Sequence, residues 1–311
     1  MSRNQVSSRR TFLKTASAAV IAGPVGLATA KEISKNDEIK WDREADVVVL
    51  GYGNAGSNAA IAAADAGSSV IILEKMPEGG GSVCVSSGGF VVPTNKDDYY
   101  AFQKALYELS RSEWDPEILR VFCEESLKLG DYVKSLDPQV TLAIYGHAGY
   151  QNLPGADCVN KISPRNVPGK KGGERLFGIF QRAVEKRNIP VLLNTPAQQL
   201  IRCGNEVAGV VALENGKPIN VKARKAVVIA TGGFQCNPEL MKRYVFGNPM
   251  GYLGGPSHTG DGLLMAQSMG ADLWHMNSVS APLGIQVPGV KAGLALITRR
   301  PAFIWVDQDG K

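Results

Sequence analysis

Apolar residues form short continuous runs that are separated by longer periodic segments along most of the chain. Residues 47–50 and 70–73 are too short and too β-branched for helices, so they predict buried parallel strands. The alanine-rich segment 54–66 between them predicts a helix that packs closely on a sheet, and Gly67 ends it. Together these segments predict a βαβ unit.

Three more segments have the periodicity of amphipathic helices. The second has Asp115 as N-cap and Pro116 in its first turn, and we expect the apolar stripes of the first two helices to be core. The apolar positions are Phe102, Ala105, Leu106 and Leu109, then Ile118, Phe122, Leu129, Val133 and Leu136, then Leu176, Ile179, Phe180 and Val184. Residues 145–172, rich in glycine and proline, predict an irregular excursion over the surface.

The pattern then changes to strands. They are predicted at residues 191–193, 199–203, 207–213, 218–223 and 226–230, with a hairpin turn at residues 215–216. The last strand meets the glycine-rich sequence 231–234. A β-meander that returns to a glycine-rich strand end is not part of a plain NAD dehydrogenase and is typical of flavoproteins that hold FAD. The predicted fold class is therefore α/β, a Rossmann-like FAD-binding domain with a parallel sheet and a β-meander.

The sequence G-x-G-x-x-G follows the first predicted strand as Gly51, Gly53 and Gly56. Gly51 permits a tight turn, Gly53 lets backbone approach a pyrophosphate, and Gly56 lets the next helix sit close to the strand. The free amides and positive dipole end of that helix face the phosphates. Glu74 ends the second strand, where an acid accepts hydrogen bonds from ribose hydroxyls. A glycine-rich loop alone arises easily by chance, but here all parts of a dinucleotide site occur in order.

The first thirty residues predict an export signal. Residues 8–14 form a twin-arginine pattern, which a mildly apolar stretch and the small-x-small cleavage site 28–30 follow. A membrane anchor is the alternative, but two glycines and a proline interrupt a stretch shorter than the ~20 residues that span a bilayer. We predict cleavage after Ala30, export of the folded protein by the twin-arginine (Tat) translocase, and a periplasmic or other extracytoplasmic location.

Charge and cysteine usage narrow the function classes. The formal net charge of +5 comes from 34 basic and 29 acidic residues, and four of the basic ones but none of the acidic ones lie in the export signal. The remaining chain is therefore close to neutral, and nucleic acid binding is not implied. The five cysteines form no C-x-x-C or C-x-x-C-H pattern, and the three histidines lie far apart, so no metal site or covalent haem is predicted.

These motifs resemble those of the fumarate reductase and succinate dehydrogenase flavoprotein superfamily, which includes the 3-ketosteroid Δ1-dehydrogenases. The matching pieces span nearly all of the chain after the export signal, in family order: residues 51–56, 74–75, 80–89, 195–197, 230–234, 259–262, 304–307 and 310–311.

The resemblance implies FAD as cofactor. The three motif glycines then hold the pyrophosphate, Glu74 the adenosine ribose, and Ala197 offers backbone to the adenine. Ser82 and the turn at 87–89 approach the flavin, and Asp261 lies near the ribityl chain, with a simple helix N-cap as the alternative for Asp261. The predicted cofactor-binding residues are Gly51, Gly53, Asn54, Ala55, Gly56, Glu74, Lys75, Gly80, Gly81, Ser82, Ser87, Gly88, Gly89, Ala197, Thr231, Gly232, Gly233 and Asp261.

By the same resemblance, the protein is an FAD-dependent oxidoreductase that reduces or dehydrogenates a carbonyl-activated carbon–carbon bond of an enone or ketosteroid-like substrate. The fumarate-reducing branch binds a substrate carboxylate with a histidine before a proline, whereas Ala281 stands at that position here and donates no hydrogen bond. Tyr150 is a candidate substrate residue, with a half-buried aromatic as the alternative. A fumarate-type dicarboxylate reductase and a truncated, inactive FAD-domain remnant remain alternative functions.

The resemblance also implies that relatives continue beyond the position of Lys311, where the rest of a capping domain and their catalytic groups lie. We therefore assign no catalytic residue in this chain. The predicted domains are the signal peptide (1–30), the FAD-binding domain (31–280) and the start of a capping domain (281–311). Because no haem motif occurs, a separate electron carrier, a quinol or a cytochrome, is expected beside the small-molecule substrate.

Overall fold

The computed structural model describes residues 30–33, 39–167, 170–246, 254–277, 284–285, 294–295 and 309. The strands are β1 (Lys31–Ile33), β2 (Arg43–Leu50), β3 (Val70–Leu73), β4 (Phe90–Pro93), β5 (Thr141–Gly146), β6 (Val159–Arg165), β7 (Val191–Leu192), β8 (Ala197–Cys203), β9 (Glu206–Glu214), β10 (Lys217–Ile229), β11 (Gly284–Ile285) and β12 (Leu294–Ala295). The helices are α1 (Asn54–Asp65), α2 (Gly81–Val85), α3 (Lys96–Ser110), α4 (Pro116–Leu136), α5 (Gly173–Lys186), α6 (Pro238–Tyr244) and α7 (Asp261–Ser268), and Ala156–Cys158 form a 3₁₀ turn.

A seven-stranded sheet in the order β1-β8-β9-β10-β2-β3-β7 forms the centre of the described chain. Strands β10, β2, β3 and β7 run parallel, and β8, β9 and β10 form an antiparallel meander. The apolar runs at the ends of β2 and β3 are buried, as expected for central strands that are covered on both faces. The predicted α/β class, a Rossmann-like sheet with a β-meander, is confirmed.

Strand β10 joins the two parts of this sheet and corrects the prediction of two separate strands. Its first part, from Lys217 to Lys222, pairs antiparallel with β9, and its second part pairs parallel with β2 as far as Ile229. The pairing with β2 is irregular between Ala223 and Ala226, where the sequence predicts the break. The residues between Ala223 and Ala226 form a local irregularity within one strand. The strand therefore continues to the same edge of the sheet as β2.

A second sheet, in the order β4-β6-β5, corrects the prediction of an irregular segment at 145–172. Strand β6 lies in that segment and pairs antiparallel with both neighbours, so that Asn160 faces Val92 and Pro164 faces Leu142. The glycine and proline content of the segment conceals the strand, because its pairing depends on partners that are distant in sequence.

Helices α1 and α5 pack on the large sheet. Ile61 of α1, Ile72 of β3 and Ile179 of α5 belong to one buried cluster. The predicted apolar stripe of α5 is confirmed, since its four positions are buried: Leu176, Ile179, Phe180 and Val184.

The predicted apolar stripe of α4 is largely wrong. Ile118 is 66% exposed and Phe122 is 50% exposed. The next residues, Leu119 and Cys123, are buried instead and share a cluster with Tyr99 of α3. One residue turns a helix by about 100°, and α4 has apolar residues on both of these faces, so only its neighbours decide which face is covered. Leu129 of α4 and Leu109 of α3 are also exposed. Val133 is buried and Leu136 packs partly buried against the core, both as predicted.

Some predictions fall outside the described residues. They include the export signal apart from Ala30, the domain boundary at 280/281 and the substrate-branch residue Ala281. Among the helices that the structure does describe, none combines the length and the apolar composition needed to cross a bilayer.

Candidate cofactor site

A cavity of about 640 Å³ lies at the carboxyl ends of β2, β3 and β10. Open parallel sheets bind their ligands at this edge. Most of the predicted cofactor-binding residues line the cavity: Gly51, Gly53, Asn54, Ala55, Glu74, Lys75, Gly80, Gly81, Ser82, Ala197, Thr231, Gly232 and Asp261.

The three glycines of the turn after β2 serve different purposes. Gly51 has φ +106°, and a Cβ there would lie 2.4 Å from the carbonyl oxygen of Ala230. A Cβ on Gly56 would lie 1.9 Å from the carbonyl oxygen of Gly51, and Gly56 does not line the cavity. Gly56 therefore permits close packing of α1. Because it does not line the cavity, its contact with the pyrophosphate stays a prediction. A Cβ on Gly53 would meet only the carbonyl oxygen of Gly80, at 3.9 Å, because the space beside Gly53 is the cavity.

The amino-terminal end of α1 presents free backbone groups to the cavity. Gly53 is the N-cap and contributes no side-chain hydrogen bond, and the N–H of Ser57 donates to the Gly53 carbonyl. The N–H groups of Asn54 and Ala55 come before that first helical bond, and both residues line the cavity. Such amides at the positive end of a helix dipole form an anion site. Within the described residues, the buried Oδ1 of Asn54 has no hydrogen-bond partner.

Glu74 stands at the end of β3 with its carboxylate fixed by backbone. Its Oε2 accepts from the N–H of Tyr52 at 2.7 Å, and its Oε1 accepts from the N–H of Met76 at 2.8 Å. Burial raises the pKa of Glu74, and these two N–H bonds oppose that rise. Because each carboxylate oxygen can accept a second hydrogen bond, the group retains acceptor capacity toward the cavity that it lines.

Lys75 and Asp261 form an ion pair across the cavity lining. Lys75 Nζ lies 2.8 Å from Asp261 Oδ2 and 2.7 Å from Thr259 Oγ1, and the Thr259 hydroxyl donates to Asp261 Oδ1 at 2.6 Å. Asp261 is the first residue of α7, whose N-cap is Gly260, and no side chain caps this helix. The alternative reading of Asp261 as a simple N-cap is therefore wrong, because its carboxylate is directed to Lys75 and Thr259.

The segment after β10 closes another side of the cavity. The N–H of Ala230 donates to the Leu50 carbonyl, which keeps the ends of β10 and β2 together. Gly232 has φ +78°, and a Cβ there would lie 2.9 Å from the ring of His258. Gly233 does not line the cavity, and its carbonyl accepts from the N–H of Gly260 in the loop before α7.

Four other predicted residues lie away from the cavity lining. Ser87, Gly88 and Gly89 follow α2, where a Cβ on Gly88 would overlap the carbonyl oxygen of Gly172, at 2.5 Å. Gly88 therefore permits close packing against the start of α5, and Gly89 permits close packing against Tyr145. The contact of this turn with flavin stays a prediction. Tyr150 is 54% exposed and lies in a turn outside the cavity lining, so its role toward a substrate also stays a prediction.

The cavity lining includes residues that sequence reasoning missed, Ser257 and His258. His258 contacts Ser82 and Gln235, and burial together with the charge of Lys75 lowers its pKa. His258 has no other histidine at metal-ligand spacing, so its sequence context indicates no metal site. The sequence does hold one signal for His258: it directly precedes residues 259–262, which match the flavoprotein superfamily.

Cys84 lies near the cavity as a neutral thiol. A Cβ on Gly80 would lie 2.2 Å from the Sγ of Cys84, so this cysteine is close to the cavity edge. Burial raises the pKa of Cys84 to about 12, which keeps it a protonated thiol at neutral pH. Within the same described ranges, no group of three or more histidine, cysteine or acidic side chains is placed to hold a metal ion.

These features define a dinucleotide-binding α/β domain: a parallel sheet, a glycine turn, a helix N-terminus with free amides, and an acid at the end of the next strand. Residues 46–311 match the family described as FAD binding domain, and the chain belongs to that family. FAD is accordingly its cofactor.

Several known proteins are similar to this chain. NADH:fumarate oxidoreductase of Klebsiella pneumoniae is 31% identical over 225 residues, which cover 70% of this chain and 23% of that protein. The 3-oxosteroid 1-dehydrogenase of Mycobacterium tuberculosis is 25% identical over 349 residues, covering 86% of this chain and 62% of the dehydrogenase. The crystal structure of a 3-ketosteroid-Δ4-(5α)-dehydrogenase from Rhodococcus jostii RHA1 with 4-androstene-3,17-dione superposes with a TM-score of 0.70 at 26% identity, covering 81% of this chain and 58% of that one.

These comparisons confirm the resemblance to fumarate reductases and ketosteroid dehydrogenases. The chain spans between 23% and 62% of the length of these relatives.

The groups at the cavity fit FAD. The free amides of Asn54 and Ala55 need an anionic acceptor, and FAD offers its pyrophosphate. The carboxylate of Glu74 and the partnerless Oδ1 of Asn54 need donors, and FAD offers ribose and ribityl hydroxyls. One molecule therefore provides partners for both kinds of free group.

Proposed function

We propose that this chain is the FAD-binding part of an oxidoreductase that moves a hydride to or from a carbon–carbon bond activated by a neighbouring carbonyl. One cavity carries the proposal, in a chain of the FAD binding domain family. Free α1 amides, a fixed carboxylate and an acceptor that has no partner among the described residues meet there. Bound FAD supplies the hydride donor and acceptor, whereas the protein binds and orients it.

The proposed roles of the lining residues follow from their free groups. The amides of Asn54 and Ala55 bind the pyrophosphate, and the carboxylate of Glu74 accepts from the adenosine ribose. Ala197, beside the other edge of the cavity, offers backbone to the adenine. The paired charges of Lys75 and Asp261 leave the flavin end close to neutral, which suits an oxidised flavin ring without net charge.

For the substrate, we favour an enone or a 3-ketosteroid over a dicarboxylate. Two of the similar proteins, from M. tuberculosis and R. jostii, are named for 3-oxosteroid or 3-ketosteroid dehydrogenation. Binding a dicarboxylate needs a free cation. Ala281, which stands where the fumarate-reducing branch has its histidine, supplies no such cation or donor.

A dicarboxylate reductase is the second candidate. The 31% identity to NADH:fumarate oxidoreductase favours it, and the free cation that it requires would come from parts of the protein beyond the cavity described above. A remnant that holds FAD without turnover is the third.

The test uses protein expressed from the complete coding sequence and follows its flavin absorption without oxygen. Photoreduced protein is mixed with 4-androstene-3,17-dione or with fumarate, and oxidised protein is mixed with a saturated 3-ketosteroid. We expect the steroids to reoxidise or to bleach the flavin and fumarate to leave it unchanged. Reoxidation by fumarate alone would favour the second candidate, and bound FAD that responds to no substrate would favour the third. Protein that takes up no FAD would contradict the whole proposal.

We also propose that the protein acts outside the cytoplasm and exchanges electrons with a separate quinol or cytochrome. The twin-arginine pattern supports the location, and the lack of a C-x-x-C-H motif in this sequence supports a separate carrier. Replacing both arginines by lysine, as Arg9→Lys with Arg10→Lys, should retain the protein in the cytoplasmic fraction. Equal periplasmic amounts of this variant and the unaltered protein would contradict export by this route.

A further inference from the structure

Ser82, His258 and Gln235 form a chain of hydrogen bonds beside the cofactor cavity. The Nε2 atom of His258 lies 3.1 Å from the Oγ of Ser82, and its Nδ1 lies 2.6 Å from the Nε2 of Gln235. Ser82 and His258 line the cavity. The three residues come from α2, from the loop before α7 and from the loop after β10, so the fold alone brings them together.

The side-chain amide of Gln235 lies beside the Nδ1 of His258, and its orientation decides which ring nitrogen carries the proton. With the NH₂ group of Gln235 facing the ring, as in this structure, the amide donates, so the Nδ1 of His258 accepts and carries no proton. The neutral ring then carries its proton on Nε2, from which it donates to Ser82 Oγ. Burial and the charge of Lys75 lower the pKa of His258, which keeps the ring in this neutral form at neutral pH.

The histidine in turn determines what Ser82 can do. The Oγ of Ser82 accepts from His258 and also, at 3.4 Å, from the N–H of Gly255. A serine hydroxyl has two lone pairs and one proton, so with both lone pairs used only the proton is left for a further partner. Among the described residues no hydrogen bond uses that proton, and Ser82 lines the cavity.

We propose that His258, which Gln235 orients, is a positioning residue for Ser82. Its hydrogen bond directs the Ser82 hydroxyl proton to an acceptor atom of bound FAD. A pyrophosphate oxygen and a nitrogen or oxygen of the isoalloxazine ring share this acceptor chemistry. The inference rests on the FAD site and is independent of which substrate the enzyme uses.

The first test locates the ring proton directly. In protein labelled with ¹⁵N-histidine, a long-range ¹H–¹⁵N spectrum distinguishes the two tautomers, and the chain has only three histidines. The signal that disappears in His258→Phe belongs to His258. We expect its proton on Nε2, and titration below the ordinary imidazole range. A proton on Nδ1 would overturn the proposal, because Nε2 would then accept the Ser82 proton.

The second test measures the contact with the cofactor by fluorescence titration of the FAD-free full chain. Ser82→Ala should weaken FAD binding about tenfold, because a donor to a polar ligand atom is lost. Ser82→Thr keeps the hydroxyl and should restore most of that affinity, and His258→Phe should weaken binding by a smaller factor than Ser82→Ala. The matched controls Ser135→Ala and His147→Asn change exposed residues outside the cavity lining and should bind FAD like the unaltered chain.

Titration with ADP distinguishes the two acceptors. ADP has the pyrophosphate but no flavin, so an equal loss of ADP and FAD affinity in Ser82→Ala would assign the proton to the pyrophosphate. A loss for FAD alone, with a shifted flavin absorption band, would assign it to the ring. Equal FAD affinity of Ser82→Ala and the unaltered chain would overturn the inference and leave the proposed function standing. An unaltered chain that takes up no FAD would overturn both.

Discussion

The edge of the large sheet that faces the cofactor and the smaller sheet with α3 and α4 are built in different ways. At the cofactor edge, the closest approaches are between backbone atoms, such as Gly56 against the carbonyl oxygen of Gly51. In the smaller region, Leu119 and Tyr99 pack through their side chains, and Ile118 beside them is exposed. A backbone approach admits only glycine at one position, whereas side-chain packing is satisfied by more than one rotation of a helix. The first kind of contact can therefore be predicted from the sequence. The second cannot where a helix has apolar residues on two faces, as α4 has.

The largest effect should come from a side chain at a backbone approach. We expect Gly56→Ala to lower the free energy of unfolding by about 3 kcal/mol, because neither the α1 backbone nor the Gly51 carbonyl can move away cheaply. Gly67→Ala is the control: Gly67 has φ +79° but nothing within 4 Å of a Cβ, so the loss should be about 1 kcal/mol. Urea unfolding of both variants measures the difference, and equal losses would show that the close approach is unimportant.

In the smaller region, two adjacent residues of α4 test which face is covered. Leu119→Ala should lower the free energy of unfolding by about 2–3 kcal/mol, since Leu119 is 4% exposed. Ile118→Ala should change it by less than about 0.5 kcal/mol, because its side chain already faces solvent. Unfolding curves recorded side by side give both values. A larger loss for Ile118→Ala would restore the stripe that the sequence predicts.

A glycine that lines the cavity should affect binding without affecting folding. Gly53 has φ −95°, which alanine adopts freely, and its added methyl group would stand in the cavity. We expect Gly53→Ala to weaken FAD binding by at least about tenfold, or about 1.4 kcal/mol. Its unfolding midpoint without FAD should match that of the unaltered chain. Normal FAD affinity in a folded Gly53→Ala would argue against a cofactor phosphate beside this turn.

The smallest effect should come from the opposite end of the sheet and should depend on pH. The N–H of Ser69 and the guanidinium of Arg224 bind the carboxylate of Asp46, which lowers its pKa to about 2. A lowered carboxyl pKa contributes stability that is complete above the unfolded value of about 3.9 and disappears as the pH falls toward 2. The difference in unfolding free energy between the unaltered chain and Asp46→Asn should therefore shrink from about pH 5 to about pH 3. A difference that stays constant over this range would contradict the assignment.

Sequence reasoning correctly predicted the parts of the fold that short-range rules control. The βαβ unit from 47 to 73 and the buried face of α5 appear as expected, and the meander differs only in joining its last two strands. Most predicted cofactor residues line one cavity, although Gly56 and Gly233 serve packing and loop contacts. Strand β6 was missed because a strand with glycine-rich and proline-rich flanks is recognised only through its partners.

By itself, the sequence determined where the nucleotide edge lies, because a tight turn, a close helix and a buried strand each restrict the residues that can form them. That the nucleotide is FAD followed from the resemblance to a flavoprotein family. The tertiary structure alone decided which face of α4 is covered, how β4, β5 and β6 pair, and that His258 stands between Ser82 and Gln235. Those arrangements join residues far apart along the chain. The local sequence around each residue does not determine how close these residues come in space, because only the packed fold sets that distance.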